Sequence, residues 1–226
     1  MDSTAERTSG SLSRMGLCNE TLELSDAERR EMQAEVQHTV EKLFDVLRID
    51  HRNDDNTRDT PRRVAAMYVE ELLRGRYTSP PPITDFANTT STDQLLVTGP
   101  IDVRSTCAHH LMPIYGEAYI GILPCSSKKI IGLSKYDRIV HYFSSRLQLQ
   151  EALGRQIGEF IMEKTNPRGL AIRISAVHMC KTHRGVSSSH RSRMVNNCYF
   201  GEFLHDANLR TEFLEECRIL DRHSSV

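Results

Sequence analysis

Two short segments of the chain hold side chains that could bind a metal and move protons. One is the sequence C-A-H-H at residues 107–110, and the other is H-M-C at residues 178–180. A C-x-x-H spacing alone is a weak zinc signal, because short Cys/His spacings arise by chance. The second segment ends a predicted strand, on which residues two apart point to the same face. We therefore expect His178 and Cys180 to reach one site together.

Three of these side chains form a set of zinc-type ligands: Cys107, His110 and Cys180. Closed structural zinc sites normally use four protein ligands, whereas catalytic sites keep one position open, so three ligands indicate a catalytic zinc. His109 and His178 then remain as unligated imidazoles, whose ordinary pKa of about 6.5 suits proton transfer at neutral pH. The alternative is that all five are core cysteines and hydrogen-bonded histidines with no metal.

Two predicted helix starts between these segments carry polar and charged side chains. Ser134 and Lys135 place a hydroxyl and an ammonium at a helix N-terminus, whose free N–H groups attract anions, and Arg138 lies one turn further on. Simple capping of the helix is the alternative. Gln150 and Glu151 open the next helix, where a Glu is usually a surface residue that suits the helix dipole. A buried carboxylate paired with Gln could instead bind the N–H edge of a guanine.

A run of basic residues follows the second Cys/His segment. Its members, interleaved with Ser and Gly, are Lys181, His183, Arg184, His190, Arg191 and Arg193. Such a run taken alone is a solvated loop, and the alternative is a pocket for a phosphorylated ligand. The net charge of the whole chain is -1, which gives no reason to expect nucleic acid or a membrane surface as a partner.

Composition predicts a soluble, cytoplasmic protein. Hydrophobic residues make up 38% of the 226 residues and the mean hydropathy is -0.45. No apolar run approaches the ~20 residues needed to cross a bilayer. Residues 1–24 lack the apolar segment of a secretory signal and are predicted to be a disordered tail. The six cysteines lack the spacing of a disulfide framework, which fits a reducing compartment.

The elements that must position these residues fall into two regions. Residues 25–94 are predicted to be an N-terminal helical region, because a capping-box pattern and then a Thr-Pro pair precede apolar residues at helical spacing. Residues 95–226 are predicted to be the catalytic domain. There the β-prone runs are followed by a helix pair over residues 134–166, two more strands and a short C-terminal helix. This order indicates the α+β class.

Several of these motifs resemble those of the GTP cyclohydrolase I family, in the same order and over about residues 26–220. The motifs are Asp59-Thr60-Pro61-x-Arg63-Val64-Ala65, Cys107-x-His109-His110-Leu111-x-Pro113, Gly132-Leu133-Ser134-Lys135 with Arg138, Arg146-Leu147-Gln148-x-Gln150-Glu151, His178-x-Cys180 and Arg184-Gly185-Val186. The resemblance implies a tunnelling fold, with a helix pair on one face of an antiparallel sheet. It also implies a homodecamer with active sites at subunit interfaces.

The same resemblance implies a reaction and a role for each candidate residue. GTP and water would give 7,8-dihydroneopterin triphosphate and formate, with Zn²⁺ activating the water. The implied roles are zinc binding by Cys107, His110 and Cys180, proton transfer by His109 and His178, assistance near the ribose by Ser134, and substrate binding by Gln150, Glu151, Lys135, Arg138 and Arg184.

Some positions depart from the family's pattern. Ala108 replaces a Glu beside the metal ligands, Gly154 replaces a Thr, and Ser175 replaces an acidic residue. His183 stands in place of a Met, and M-V-N-N at residues 194–197 in place of T-V-T-S. Such changes in the support of a metal site alter rates by about 10–100-fold. Two alternatives therefore stay open: a non-catalytic paralogue that joins or regulates decamers, and an enzyme that stops at a ring-opened intermediate.

Overall fold

The computed structural model describes residues 15–83, 85–88, 92–125 and 129–223. The chain divides into two compact units, Met1–Ser79 and Pro80–Val226. The boundary predicted between the helical region and the catalytic domain lay later, after residue 94. In the part of the chain that the structure describes, no helix is both long and apolar enough to cross a membrane.

The first unit is helical. Helix α1 (Asp26–Val46) begins after Ser25, whose side chain accepts a hydrogen bond from the backbone N–H of Glu28, while the Glu28 carboxylate accepts from the N–H of Ser25. This confirms the predicted capping box. Helix α2 (Thr60–Ala66) continues as one π-helical segment and ends in a short helix α3 (Arg74–Tyr77).

Part of the predicted tail packs within this unit. The backbone N–H groups of Leu22 and Leu24 donate to the carbonyls of Arg76 and Tyr77 at 2.7 and 3.0 Å. The Arg76 guanidinium donates to carbonyl groups of residues 16–20. Residues 15–24 therefore differ from the disorder predicted for residues 1–24, because α3 supplies partners for their backbone. Residues 1–14 of that tail lie outside the described residues.

The second unit is built on a sheet with the strand order β5-β2-β3-β6-β7. Its strands are β2 (Leu96–Cys107), β3 (Pro113–Leu123), β5 (Leu147–Gln148), β6 (Gly169–His178) and β7 (Met194–Gly201). All neighbours are antiparallel except β5, which runs parallel to the end of β2. Strands β1 (Asp85–Ala87) and β4 (Lys129–Ile131) form a small separate pair. The helices are α4 (Ser134–Ser144), α5 (Gln150–Thr165), α6 (Met179–Thr182) and α7 (Ala207–His223).

Alternation along the strands separates two apolar layers. On β6, Leu170, Ile172 and Ile174 are fully buried on the face that packs against α4 and α5. Burying a side chain of this size contributes about 1.5–3 kcal/mol. The α+β class, with a helix pair on one face of a mainly antiparallel sheet, is thus confirmed.

The opposite face of the sheet is covered by the C-terminal helix. Phe213 and Cys217 of α7 pack with Tyr119 of β3, Ala171 of β6 and the buried Phe203. The helix itself was predicted, but its place on the second face was not, because residue spacing does not say which face a terminal helix covers.

Several elements meet at one end of this sheet. Strand β2 ends at Cys107, β6 ends at His178, and Cys107 pairs with Gln148 of β5, just before α5 begins. The pairing Ile114↔His178 sets the two Cys/His segments side by side. Register alone therefore brings distant parts of the sequence to one place.

Candidate metal centre and active site

The hairpin loop between β2 and β3 carries the first Cys/His segment. The N–H of Cys107 donates to the carbonyl of Met112 at 2.8 Å, and the N–H of Leu111 donates to the carbonyl of Cys107 at 2.9 Å. Leu111 has a φ of 55°, in the left-handed region that a branched residue rarely adopts. The chain is thus tightly folded where it presents His110.

The predicted ligand set comes together in the structure. The Sγ atoms of Cys107 and Cys180 and a ring nitrogen of His110 all lie within 4.8 Å of one another. Cys107 is buried, Cys180 is partly buried and His110 is exposed. Two sulfur atoms and one imidazole, open to solvent on the His110 side, form a group that could hold a metal ion.

Cys180 reaches this group by a different route from the one predicted. Strand β6 ends at His178, and α6 begins at Met179, so Cys180 lies in a helical turn. The N–H of His183 donates to the carbonyl of Met179 at 2.9 Å and closes that turn. The prediction that strand alternation would align His178 and Cys180 is therefore wrong, although both do border one site.

The two cysteine side chains influence each other. Burial raises the pKa of the Cys180 thiol, and its hydrogen bond and charge interaction with Cys107 raise it further. The nearby Arg184 acts in the opposite direction on the same pKa. Adjacent thiols disfavour a second thiolate unless a cation compensates the charge, which a bound metal does.

His178 is held by a buried amide. Its Nε2 lies 2.8 Å from Oε1 of Gln150. The Gln150 Nε2 group donates to the carbonyls of Ile174 and Met194 at 3.1 and 3.0 Å, and to Oδ1 of Asn196 at 2.8 Å. These acceptors fix which end of the amide is nitrogen. The Gln150 oxygen must therefore accept from His178, so neutral His178 carries its proton on Nε2 and leaves Nδ1 as the free base.

Charges around His178 also bear on its protonation. Burial lowers the pKa of His178, the negative charge of Glu151 raises it, and the positive charge of Lys181 lowers it. Burial is the largest of these influences. The neutral imidazole, which can accept a proton, is favoured at neutral pH.

Gln150 is buried in the structure, whereas its neighbour Glu151 is exposed. Gln150 is only 1% exposed and its amide is occupied by protein groups, so it does not present a free edge to a substrate. The prediction that Gln150 binds the substrate is therefore not supported, because the first turn of α5 directs this side chain into the sheet. Glu151 is exposed and close enough to influence His178.

A cavity of about 400 Å³ opens beside the ligand group. Its lining residues are His178, Cys180, Lys181, Ser192, Arg193 and Met194. Arg184 is exposed on a segment that borders it, and His109 is exposed in the hairpin loop, where its ring lies 6.3 Å from the His110 ring, centroid to centroid. Basic and proton-accepting side chains thus surround an open space next to the candidate metal position.

Ser134, Lys135 and Arg138 lie on α4 and do not line this cavity. Ser134 is the first helical residue and makes no capping bond. The N–H of Lys135 donates to the Gly132 carbonyl at 2.8 Å, and the next N–H along the chain is also bonded. Ser134 therefore does not cap this helix, and the N–H groups of Lys135 and Tyr136 are bonded within the turn; anion binding here stays a prediction.

Comparison with known proteins agrees with this geometry. A family model described as GTP cyclohydrolase I matches residues 36–218, which include every site residue named above. The chain belongs to the GTP cyclohydrolase I family. GTP cyclohydrolase 1 of Wigglesworthia glossinidia brevipalpis is 37% identical over 78% of this chain and 81% of its own. GTP cyclohydrolase 1 of Shewanella baltica (strain OS185) is 36% identical over 86% of this chain and 87% of its own.

A more distant likeness exists among solved structures. The archaeosine synthase QueF-Like in its apo form covers 48% of this chain and 92% of its own, with 14% identity and a TM-score of 0.37. We infer nothing from a likeness at that level. Membership of the GTP cyclohydrolase I family instead follows from the family model and the two relatives.

Proposed function

We propose that this chain is a zinc-dependent GTP cyclohydrolase I. It would open the guanine of GTP at C8 and rearrange the product to 7,8-dihydroneopterin triphosphate, with release of formate. The observation that carries the proposal is the group of Cys107, His110 and Cys180 beside His178, whose Nε2 is bonded to Gln150 so that Nδ1 of the neutral ring is the unprotonated nitrogen. Family membership supports the same reaction.

Zinc fits this donor set. Zn–S bonds of about 2.3 Å and Zn–N bonds of about 2.0 Å place the ligand atoms of a tetrahedral site just under about 4 Å apart. The three atoms lie within 4.8 Å of one another, so small side-chain rotations suffice to close the set. Three protein ligands leave one position open, as in catalytic sites. When bound, the zinc would supply Lewis-acid activation of water.

The chain's own residues would move protons and bind the nucleotide. His178 would accept a proton at Nδ1 while Gln150 holds Nε2, and His109 would provide a second imidazole. The exposed carboxylate of Glu151 would accept hydrogen bonds from guanine N–H groups. Arg184, beside Cys180, would bind the phosphates.

An assembly would account for the remaining predicted residues. Ser134, Lys135 and Arg138 lie outside the cavity lining of a single chain. A homodecamer with interfacial active sites would bring these side chains of one subunit to the cavity of the next. GTP would then contact two subunits, with its triphosphate reaching the basic side chains of α4.

The direct test is conversion of GTP by the purified, zinc-loaded protein. We expect formate and a pterin whose fluorescence appears after oxidation, in equal amounts. Formate without a pterin would show that the reaction stops at a ring-opened intermediate. The absence of both products would indicate a non-catalytic paralogue. Mixing the protein with an active relative would then show whether it joins that relative's decamer.

Glu151→Ala should weaken GTP binding and leave ATP binding unchanged. A charge-assisted hydrogen bond contributes about 1.5–3 kcal/mol, so the loss of one such bond corresponds to about 10–150-fold. ATP does not present the guanine N–H donors in the same arrangement. Calorimetric titration of both nucleotides into the zinc-free protein measures the effect.

Glu159→Ala is the matched control, because Glu159 is an exposed carboxylate on the same helix, two turns away. It should bind GTP like the wild type. Equal affinity of wild type for ATP and GTP would mean that Glu151 does not bind guanine.

A further inference from the structure

We infer that Gln150 is a positioning residue for His178, and that Asn196 on β7 holds Gln150 in place while Gly154 on α5 makes room for Asn196. This inference deepens the proposed function and rests on it. It also gives a structural role to positions 154 and 196, two of those at which this chain departs from the family's pattern.

The hydrogen bonds all donate in one direction, from His178 through Gln150 to Asn196 and Cys198 on β7. Nδ2 of Asn196 donates to Sγ of Cys198 at 3.8 Å, which leaves its Oδ1 as the acceptor for Gln150 Nε2 at 2.8 Å. Oε1 of Gln150 then accepts from His178 Nε2 at 2.8 Å. Each amide has its nitrogen and oxygen ends occupied by groups of the opposite kind. The relay therefore admits one orientation of each amide.

Burial makes this orientation costly to change. Gln150 is 1% exposed, and a buried amide that loses its partners keeps the full cost of its desolvation. A flipped Gln150 would point its oxygen at two backbone carbonyls, those of Ile174 and Met194. Because the flip is disfavoured, the His178 ring is held by Nε2 and directs Nδ1 away from Gln150.

The space for Asn196 depends on a missing side chain. A Cβ added to Gly154 would lie 2.9 Å from Sγ of Cys198 and 3.2 Å from Nδ2 of Asn196. The first distance is shorter than real Cβ contacts allow, so a larger residue would displace both side chains. The absence of a side chain at Gly154 thus leaves the space that Asn196 and Cys198 occupy, and we call these three residues the set. Asn196 in turn accepts a hydrogen bond from the Gln150 amide that holds His178.

The first experiment replaces the amide by a side chain of similar length. In zinc-loaded Gln150→Met we expect kcat for GTP to fall by about 10–100-fold, the usual effect of removing a hydrogen-bonding support. KM for GTP and zinc content should stay at wild-type values, because Gln150 touches neither. A raised KM with unchanged kcat would overturn the inference and make Gln150 a substrate-binding residue.

A second experiment keeps the Gln150 amide and changes the residues around Asn196. Gly154→Ala should lower kcat several-fold by pushing Cys198 and Asn196, and Gly154→Ala/Cys198→Ala should recover most of the loss, because the 2.9 Å contact is gone. Rates are compared per folded molecule, with the folded fraction taken from thermal unfolding, so that recovery of kcat reports on the site and not on stability. An equal loss of kcat in the single and double variants, or no loss of kcat in Gly154→Ala, would overturn the inference that Gly154, Asn196 and Cys198 together hold Gln150 in place.

A third measurement separates this inference from the proposed function. Modification of His178 by diethyl pyrocarbonate, followed by peptide mass spectrometry, should be faster in Gln150→Met, since the ring can then adopt the other tautomer and offer an unprotonated Nε2 to the reagent as well as Nδ1. This readout needs no turnover. If wild type fails to convert GTP, the proposed function fails, while faster modification still supports positioning. An unchanged modification rate would overturn the positioning role whether or not GTP is converted.

Discussion

His178→Ala is expected to convert GTP about 10²–10⁴-fold more slowly than wild type, the usual contribution of a general acid–base group. The reason is geometric: His178 borders the ligand group and the cavity, and its bond from Nε2 to Gln150 leaves Nδ1 of the neutral ring unprotonated. Zinc content and GTP affinity should not change, because the imidazole is not one of the three ligand atoms. Rates of pterin formation, metal analysis and calorimetric titration of GTP measure the three quantities, and thermal unfolding checks that the fold is unchanged.

The control for this variant is His205→Ala, since His205 is an exposed histidine that follows β7 and does not line the cavity. It should keep wild-type activity. Undiminished turnover in His178→Ala would remove His178 from the mechanism. Loss of zinc at unchanged folding would instead make His178 a ligand, and the ligand set would have to be revised.

The parts of the fold that the sequence predicted well are those decided by a few adjacent residues. The capping box at Ser25 and Glu28 is local, and so is the end of α5 at Asn166, which adopts the left-handed conformation with a φ of 44° before a proline. The alternation along β6 is equally local. In each case the interactions that decide the conformation lie within a few residues.

The site was predicted less completely, because its supporting contacts are long-range. The partners of the Gln150 amide lie 24 to 46 residues further along the chain, and no spacing rule connects them. Met194 and Asn196 stood out only as departures from a pattern. The family resemblance assigned Gln150 to the substrate, as a partner of Glu151 at the guanine edge. Only the packing of α5 against β6 and β7 shows that it faces the interior.

The ligand set itself was predicted from residue type and spacing, and the structure brings its members together. The residue spacing did not predict the helical turn α6, which starts one residue before Cys180. A strand continued through Cys180 would leave the thiol on the face that His178 occupies. Binding of a metal by this set stays a prediction, and it is the one with the clearest outcome.

Cys180→Ala should lose the zinc that wild type retains at about one ion per chain. Only Cys107 and His110 would remain, both from one hairpin loop, and two protein ligands hold zinc poorly. Conversion of GTP should be lost together with the metal. Metal analysis after gel filtration into chelator-free buffer measures the occupancy, and activity after addition of zinc shows whether excess metal restores the site.

Thermal unfolding gives an independent readout, because a ligand bound only to the folded state stabilises it. Free zinc at about 100 times its Kd contributes about 2.7 kcal/mol, so a chelator should lower the Tm of wild type and leave that of Cys180→Ala unchanged. Cys125→Ala is the matched control: Cys125 is also partly buried, lies outside the ligand group, and should keep the wild-type response. Full zinc occupancy in Cys180→Ala, with a normal chelator response, would show that Cys180 is not a ligand and that the metal, if catalytic, is held elsewhere.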